Sequence, residues 1–394
     1  MSKGLPEVPL AEIAKPISRS VEVIPGQSYR TIGVKWWGEG SYERQTIDGS
    51  GTAAKSLSLV RQGDLIINKI WVRHGSTAIA GADVDGCAAS GEFPTFTLDE
   101  SRVAPRWLHW QTKTKGFWAK CDALSQGTSG KNRIKPELFL TVRVPLPPLA
   151  EQRRVVARIE ELAAQIHEAR TLRHQAAEEA EALLTTARRS VLLESRAKTV
   201  ALEDACAAII DNLHSNPRLS DNGVPCVRSP DVGYGTLNIE GAQRTDEEEF
   251  RRRTVRGEPK ADDIVLVREG GGTGKCAVVQ KGQRFSLGQR VMMLRPNPER
   301  ILPQFFLHQL LSPQIQEDQI APLSKGSASP HLNIGALRRF DLILPPLAEQ
   351  RRIVAELDAL QAEVDALKRL QAETAAELDA LLPAILDKAF KGEL

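Results

Sequence analysis

An eight-residue segment occurs twice in this chain, 198 positions apart. Pro-Pro-Leu-Ala-Glu-Gln-Arg-Arg occupies residues 147–154 and again residues 345–352. Eight consecutive identities arise by chance on the order of once in 10⁵ chains of this length, so the match indicates an internal duplication. Weaker matches lie upstream, such as Leu-His at 108–109 and 307–308. The sequence therefore predicts two diverged copies of one unit, each a globular part followed by a helix.

Each repeated segment is expected to begin a long helix, because proline suits the first helical turn. Apolar residues then recur at alternating spacings of four and three, with one slip, which is typical of a coiled-coil seam. The seam positions are Val155, Ile159, Leu162, Ile166, Ala169, Leu172, Ala176, Ala180, Leu183 and Ala187, and in the second copy Ile353, Leu357, Leu360, Val364, Leu367, Leu370, Thr374, Leu378, Leu381 and Ile385. We expect the two helices to pair antiparallel, with two separate surface helices as the alternative. Pro383 should end or kink the second helix near Leu382.

The parts between the helices have the pattern of mixed α+β domains. Short apolar runs broken by Gly, Asp and Pro predict strands within residues 64–72, 93–98, 263–267 and 290–294, and short helices near 107–111 and 305–311. The predicted fold class is α+β: two globular domains separated by an antiparallel coiled coil of two long helices.

Composition excludes several classes of protein. With 41% hydrophobic residues and a net charge of +2, the chain of 394 residues is not disordered throughout. No apolar run approaches the ~20 residues needed to cross a bilayer, and the N-terminal residues do not resemble a signal peptide, so a cytoplasmic location is expected. The five cysteines lie at least 20 residues apart, which excludes C-x-x-C sites and predicts free thiols.

No catalytic motif is visible in the sequence. Residues 269–276, Glu-Gly-Gly-Gly-Thr-Gly-Lys-Cys, resemble a phosphate-binding loop but lack its first glycine and its Ser or Thr. A glycine-rich turn between two strands is the better interpretation. There is no H-E-x-x-H, no G-x-S-x-G and no tetrapeptide of the amino-methyltransferase kind. A nuclease or methyltransferase acting alone is therefore disfavoured.

Basic residues beside glycines form paired loops in the two copies. Residues 1–150 hold 19 Lys and Arg against 14 Asp and Glu, which weakly favours a polyanionic partner. Cations, hydroxyls and amides in such loops are the groups that bind phosphates and base edges, and solvated hairpin turns are the alternative. The candidate DNA-binding residues are Lys69, Arg73, Lys113, Lys131, Arg133, Arg268, Lys275, Lys325 and His331. Arg251–Arg253, which follow an acidic run, are instead expected on a solvated, self-paired helix.

Two variable globular parts, each followed by the same Pro-Pro-Leu-Ala-Glu-Gln-Arg-Arg helix, resemble the specificity (S) subunits of type I restriction–modification enzymes. The resemblance covers the whole chain, including the final Ala-Phe-Lys-Gly-Glu-Leu at 389–394. It implies a target-recognition domain at 1–146, a spacer helix at 147–198, a second recognition domain at 199–344 and a second spacer helix at 345–394. The sequence departs from the family at Gly130-Lys131-Asn132, where the second copy has the Pro-His type at 330–331.

The same resemblance implies function and partners. Each recognition domain would read one half of a split, asymmetric sequence in double-stranded DNA. The chain would be non-catalytic, would bind no cofactor itself and would not associate with a membrane. It would dock two modification subunits that methylate adenine at N6 with S-adenosylmethionine, and through them restriction subunits that use ATP and Mg²⁺. The implied docking and spacer residues are Pro147, Glu151, Arg153, Arg154, Pro345, Glu349, Arg351 and Arg352. A cytoplasmic coiled-coil scaffold without DNA specificity is the alternative.

Overall fold

The computed structural model describes residues 5–127, 132–324 and 331–394. The chain divides into two compact units: unit 1 comprises Met1–Leu172 with Glu373–Leu394, and unit 2 comprises Arg173–Ala372. Each long helix therefore begins in one unit and ends in the other. The domain boundaries expected at 146, 198 and 344 follow the repeat along the chain, and they stay a prediction.

Unit 1 contains eleven described strands around three short helices and the start of a long one. The strands are β1 Glu7–Pro9, β2 Ala14–Ile17, β3 Ser20–Glu22, β4 Ser28–Val34, β5 Ser41–Asp48, β6 Ser56–Leu59, β7 Leu65–Ile67, β8 Thr77–Ile79, β9 Ala88–Ala89, β10 Thr95–Leu98 and β11 Arg143–Pro145; the helices are α1 Pro105–Gln111, α2 Lys115–Ala123, α3 Pro136–Phe139 and α4 Leu149–Glu194. They form sheets of order β2-β10-β7-β8, β3-β6-β9-β4-β5 and β1-β11.

Unit 2 repeats this organisation with fewer strands. The strands are β12 Thr199–Ala201, β13 Cys206–Ile210, β14 Val224–Val227, β15 Arg244–Thr245, β16 Ile264–Val267, β17 Cys276–Val278, β18 Ser286–Leu287, β19 Val291–Pro296 and β20 Asp341–Ile343; the helices are α5 Leu202–Ala205, α6 Glu247–Arg253, α7 Pro303–Leu310, α8 Pro313–Ile315, α9 Ala321–Ser324, α10 Ile334–Arg338 and α11 Leu347–Lys391. The sheets have the orders β13-β19-β16-β17, β15-β14-β18 and β12-β20.

The two units share a frame and differ in what is inserted into it. The antiparallel sheet β2-β10-β7-β8 of unit 1 matches β13-β19-β16-β17 of unit 2, and the pair β1-β11 matches β12-β20. Between the first and second halves of the frame, unit 1 inserts most of a five-stranded sheet, whereas unit 2 inserts strands of a three-stranded one. The predicted α+β class with internal duplication is confirmed.

In each unit the core includes the start of one long helix and the end of the other. In unit 1, Val155 and Ile159 of α4 and Leu386 of α11 pack in one cluster with Trp107 and Phe139. In unit 2, the corresponding cluster combines residues from the start of α11 with Leu192 near the end of α4. Burying these apolar side chains stabilises each helix, since most helical stability in proteins comes from packing.

The long helices run antiparallel within each unit, as predicted. In unit 1, Arg170 of α4 donates to Asp379 of α11 over 2.7 Å. In unit 2, Arg188 of α4 donates to Gln361 of α11 over 2.9 Å, and nearer the middle of α4 Gln371 donates to the carbonyl oxygen of Arg173 over 3.0 Å. Residue numbers fall along one helix as they rise along the other.

The predicted seam is correct at the helix starts, and further along it holds at Ala187 and Ile385 and is wrong at four leucines. Leu172, Leu183, Leu370 and Leu381 are 57%, 58%, 58% and 46% exposed, whereas Leu184 and Leu386 are buried. A helix with 3.6 residues per turn drifts relative to a repeat of 3.5, so over forty residues the buried stripe moves by one position. The four leucines lie on the outer surface.

Helix α11 does not end at Leu382, which corrects one of the two outcomes expected for Pro383. It continues through Pro383 to Lys391. Proline costs about 3 kcal/mol in a helix interior, and the packing of the last turns offsets that cost. Ala389 is buried, and the ring of Phe390 lies 4.9 Å from that of Trp107.

The expectation of a solvated, self-paired helix at Arg251–Arg253 is confirmed for the pairing and for the exposed Arg251 and Arg252, and it is wrong for the buried Arg253. Helix α6 begins at an Asp246 cap that accepts from the Glu249 backbone N–H over 2.7 Å. The side chains of Glu249 and Arg253 are fully buried and form an ion pair of 2.9 Å. Hydrogen bonding from Arg252 and further pairing with Arg218 lower the pKa of Glu249 to about 2, against the opposing effect of burial.

Among the described residues, no helix combines the length and the apolarity needed to cross a membrane. All five cysteines are free thiols, as predicted.

Candidate nucleic-acid interface

The hairpin between β7 and β8 places the first predicted loop on unit 1. β7 and β8 pair antiparallel, and Val72–His74 form a single 3-10 turn between them. The turn closes at Gly75, whose φ of +76° favours glycine, and a Cβ there would lie 2.7 Å from the Trp118 ring. Tertiary packing as well as turn geometry thus requires glycine in this loop.

Lys69 and Arg133 lie on adjoining segments of unit 1. The Ile134 backbone N–H donates to the Lys69 carbonyl oxygen over 3.0 Å, and the Lys69 backbone N–H donates to the Glu92 carbonyl oxygen over 3.0 Å. Arg133 is paired with the Glu92 carboxylate at 3.2 Å, on an exposed surface. Exposed pairs of this kind contribute little to stability, so Arg133 can exchange Glu92 for a phosphate at small cost.

Arg73 and Lys113 lie beside an aromatic cluster that the sequence interpretation did not include. The Arg73 guanidinium carbon is 6.0 Å from the Trp71 ring centroid, and the Lys113 ammonium is 4.9 Å from that of Trp110. Burial and the nearby charge of Arg106 lower the pKa of Lys113. The sequence did contain a signal for this aromatic cluster, because two of its six tryptophans are adjacent, at positions 36 and 37.

The hairpin between β16 and β17 is the matching loop of unit 2. The two strands pair antiparallel, which confirms a glycine-rich turn in place of a phosphate-binding loop. Gly274 has a φ of +95°, and its carbonyl oxygen accepts from Gln316 over 2.9 Å. Lys275 lies 5.9 Å from the ring centroid of Tyr234, an exposed residue that the sequence interpretation missed.

Arg268, which the sequence predicted to bind DNA, has a buried side chain. Its side chain is 3% exposed and forms ion pairs with Asp211 at 3.0 Å and with Glu269 at 2.7 Å. His331 is exposed, but its Nδ1 lies 3.0 Å from the Glu269 carboxylate. Burial alone would raise the pKa of Glu269. The positive charges of Arg268 and His331 outweigh burial, so the pKa of Glu269 is lowered. The charge of Arg268 is therefore already paired with two carboxylates inside unit 2.

Two predicted residues, Lys131 and Lys325, lie outside the described residues. In the part of the chain that is described, no group of three or more His, Cys, Asp and Glu side chains could hold a metal ion.

The helix starts are held by a glutamine that the sequence interpretation did not single out. Gln152 donates to the carbonyl oxygens of Pro147 over 2.7 Å and Arg102 over 2.9 Å, and accepts from the Ala104 N–H over 2.8 Å. Gln350 makes the same three bonds, each of 2.8 Å, to Pro345, Arg300 and Leu302. Both glutamines are fully buried.

The predicted docking residues therefore separate into two groups. Pro147 and Pro345 are buried in their units just before the long helices, which agrees with the spacer part of the prediction and leaves them no exposed surface for docking. Glu151–Arg154 and Glu349–Arg352 form ion pairs within the first turns at 2.7 Å and 2.8 Å. Arg153 and Arg351 are exposed.

Comparison with known proteins gives consistent results. Residues 255–375 match the family described as the type I restriction modification DNA specificity domain. The chain is 25% identical over 286 residues to the type I restriction enzyme EcoBI specificity subunit of Escherichia coli, covering 64% of this chain and 58% of that protein. It is 25% identical over 306 residues to the EcoKI specificity subunit of E. coli strain K12, covering 72% and 64%. The match thus spans less than two thirds of either relative's length.

Two solved structures are similar over the whole chain. The HsdS subunit from Thermoanaerobacter tengcongensis has a TM-score of 0.62 at 25% identity, covering 100% of this chain and 98% of that one. The second is a chain from a structural study of complex assembly and conformational transition in the type I R-M system. Its TM-score is 0.73 at 27% identity, and the match covers 100% of this chain and 99% of that one. The chain is therefore similar to the specificity subunits of type I restriction–modification enzymes, and its residues 255–375 match the DNA specificity domain of that family.

Proposed function

We propose that this chain is the DNA-recognition subunit of a type I restriction–modification complex. Unit 1 reads one half of a split, asymmetric target in double-stranded DNA, and unit 2 reads the other. Within this proposal the loops that end at Gly75 and Gly274 face the DNA, with Lys69, Arg133 and Lys275 as phosphate or base contacts.

One observation carries the proposal: the frames are alike and the inserts are not. The four-stranded sheets of the two units have matching strand order, while the inserted sheets have five and three strands. If the two units are positioned by like partners but read different DNA sequences, we expect a common frame that carries different inserted sheets. A scaffold that binds two identical partners gives no reason for unlike inserts.

The exposed leucines support docking of two modification subunits. Leu172 and Leu370 are 198 positions apart, as are Leu183 and Leu381, so each is the repeat counterpart of the other. All four project from the paired helices. Exposed apolar residues that recur at equivalent positions favour two like partners bound through α4 and α11, together with Arg153 and Arg351.

The chain is proposed to be non-catalytic. S-adenosylmethionine is expected on the modification subunits, and ATP with Mg²⁺ on the restriction subunits bound through them. Methyl transfer to DNA by this chain purified without partners would contradict this.

The DNA contacts are tested by salt-dependent binding of the assembled complex to its duplex target, found by mapping methylated adenines. Lys275→Ala should weaken binding and lower the slope of log affinity against log salt by about one. Lys131→Ala with Arg133→Ala should lower it by about two. Lys281→Ala, an exposed lysine in the turn after β17, is the matched control. Unchanged slopes in the test variants would mean that these loops are solvated turns that do not contact DNA.

Docking is tested by co-purification with the modification subunit. Leu183→Glu and Leu370→Glu in unit 2 should reduce the amount of modification subunit retained, because a charge cannot be buried at an apolar contact without cost. Leu193→Glu is the control, since Leu193 is equally exposed but its repeat counterpart is Lys391. Equal retention by all three variants would exclude these leucines from docking.

A further inference from the structure

A patch of aromatic side chains that includes exposed tryptophans lies beside the β7–β8 loop of unit 1. Trp36 and Trp37 occupy the turn between β4 and β5 and are 43% and 52% exposed. The Trp36 ring lies 4.8 Å from Trp71 and 5.7 Å from His74. Trp37 lies 5.6 Å from Trp118. We define these five rings, Trp36, Trp37, Trp71, His74 and Trp118, as the tryptophan cluster.

The backbone of this turn is held in an unfavourable conformation. Trp37 has a φ of +59°, in the left-handed region that bulky residues rarely adopt. Such conformations cost energy and persist only where the surroundings determine them, and they concentrate at functional sites. Here the consequence is that a large apolar ring is displayed to solvent on a rigid turn.

Two glycines join the turn to the neighbouring loops. The Gly38 N–H donates to the Gly75 carbonyl oxygen over 2.8 Å, so the tryptophan turn and the β7–β8 loop form one surface. A Cβ on Gly38 would lie 2.6 Å from the Lys113 side chain. The cluster is therefore fixed in place and does not rely on a loop closing over it.

The charges around the cluster favour a polyanionic partner. Arg73 lies over Trp71, Lys113 packs against Gly38, and Lys35 precedes the tryptophans on an exposed position. The carboxylate of Glu39 follows the turn, and its negative charge favours the protonated form of Lys113, which raises the pKa of that lysine against the larger opposing effect of burial. Cations around an apolar centre fit duplex DNA, whose phosphates flank base edges that carry one apolar group, the thymine C5-methyl.

We propose that Trp36 and Trp37 contact a thymine C5-methyl group in the half-site read by unit 1. This inference rests on the proposed function. It also agrees with the position of the turn, which belongs to the five-stranded sheet that unit 2 does not share. A contact made through the unshared sheet distinguishes one half-site from the other.

The test replaces each thymine of the mapped target by deoxyuridine, one at a time, and measures binding of the assembled complex. Wild type should lose affinity by about fourfold at one or two positions, all in one half-site, which is the factor for burying one methyl group. Trp36→Ala and Trp37→Asn should bind the normal target more weakly and lose that sensitivity. Asn tolerates a left-handed φ, so Trp37→Asn removes the ring without adding backbone strain.

Val255→Ala, at an exposed apolar residue of unit 2 outside the candidate interface, is the control and should keep the sensitivity of wild type. If wild type binds its target and no thymine responds to deoxyuridine, this inference is wrong while the proposed function stands. If the tryptophan variants instead fail to retain the modification subunit, the cluster is a protein contact, which also overturns it. If wild type does not bind duplex DNA selectively, the proposed function itself fails.

Discussion

The side-chain nitrogen of Gln350 donates a 2.8 Å hydrogen bond to the carbonyl oxygen of Pro345, five residues earlier. The same amide bonds Arg300 and Leu302, nearly fifty residues away in sequence. One buried side chain thus joins the start of α11 to the body of unit 2. Gln152 does the same for α4 in unit 1. This explains physically why the repeated octapeptide contains a glutamine at its sixth position.

Replacing Gln350 by alanine should lower the free energy of unfolding by about 2–4 kcal/mol, because a buried N–H and two carbonyl groups lose their partners. The measurement is urea unfolding of the full chain. Arg351→Ala, the exposed neighbour, should change the free energy by less than about 0.5 kcal/mol. A Gln350→Ala protein as stable as the control would mean that water replaces the amide without cost.

Arg253→Met should destabilise unit 2 by about 3–5 kcal/mol, since it leaves the buried carboxylate of Glu249 without its closest buried partner. Arg251→Met, on the exposed side of the same helix, is the control. Because the pKa of Glu249 is lowered to about 2 from 4.5, its ionised form stabilises the fold above pH 4.5. That contribution is lost as the pH falls toward 2. Equal unfolding midpoints for the two variants would contradict the assignment.

The stability of unit 1 should decline as the pH falls from about 6.5 toward 3. Burial, with the charges of Lys113 and Arg106, lowers the pKa of His109 from 6.5 to about 3. In that window the unfolded chain binds a proton that the folded chain does not, so stability rises with pH. His109→Gln should flatten this dependence, and His167→Gln, at an exposed position of α4, should not. Thermal unfolding followed across this pH range tests it; parallel curves for wild type and His109→Gln would count against it.

If the two units read two half-sites as proposed, inserting one heptad into each long helix should lengthen the gap between those half-sites. Seven residues restore the same helix face and add roughly 10 Å at ~1.5 Å per residue, which is about three base pairs at ~3.4 Å each. Methylation mapping of the active complex is the measurement. The half-site sequences should stay the same while their separation grows. An unaltered gap would mean that the helices do not space the recognition units, and would favour the scaffold alternative.

Much of the fold could be predicted from the sequence. The repeat gave the duplication, the proline pairs gave the helix starts, and glycines beside short apolar runs gave the β7–β8 and β16–β17 hairpins. The outward leucines could not be predicted, because a spacing rule follows one face and cannot register the drift that moves Leu184 inward and leaves Leu183 outside. The continuation of α11 through Pro383 could not be predicted for a similar reason, since the packing of Ala389 and Phe390 outweighs a local preference.

The candidate site divides along the same line. By itself, the sequence determined that two copies exist, that their helices pair, and that basic residues sit beside glycines in equivalent loops, because these depend on composition and spacing within a short segment. Tertiary structure alone decided which cations are available. Arg268 is buried and paired with Asp211, 57 residues earlier, while Lys275 is partly exposed. It also brought Trp71 against Trp36 and Trp118 against Trp37, from three separate segments. Burial and pairing depend on partners distant in the chain, and no local pattern records them.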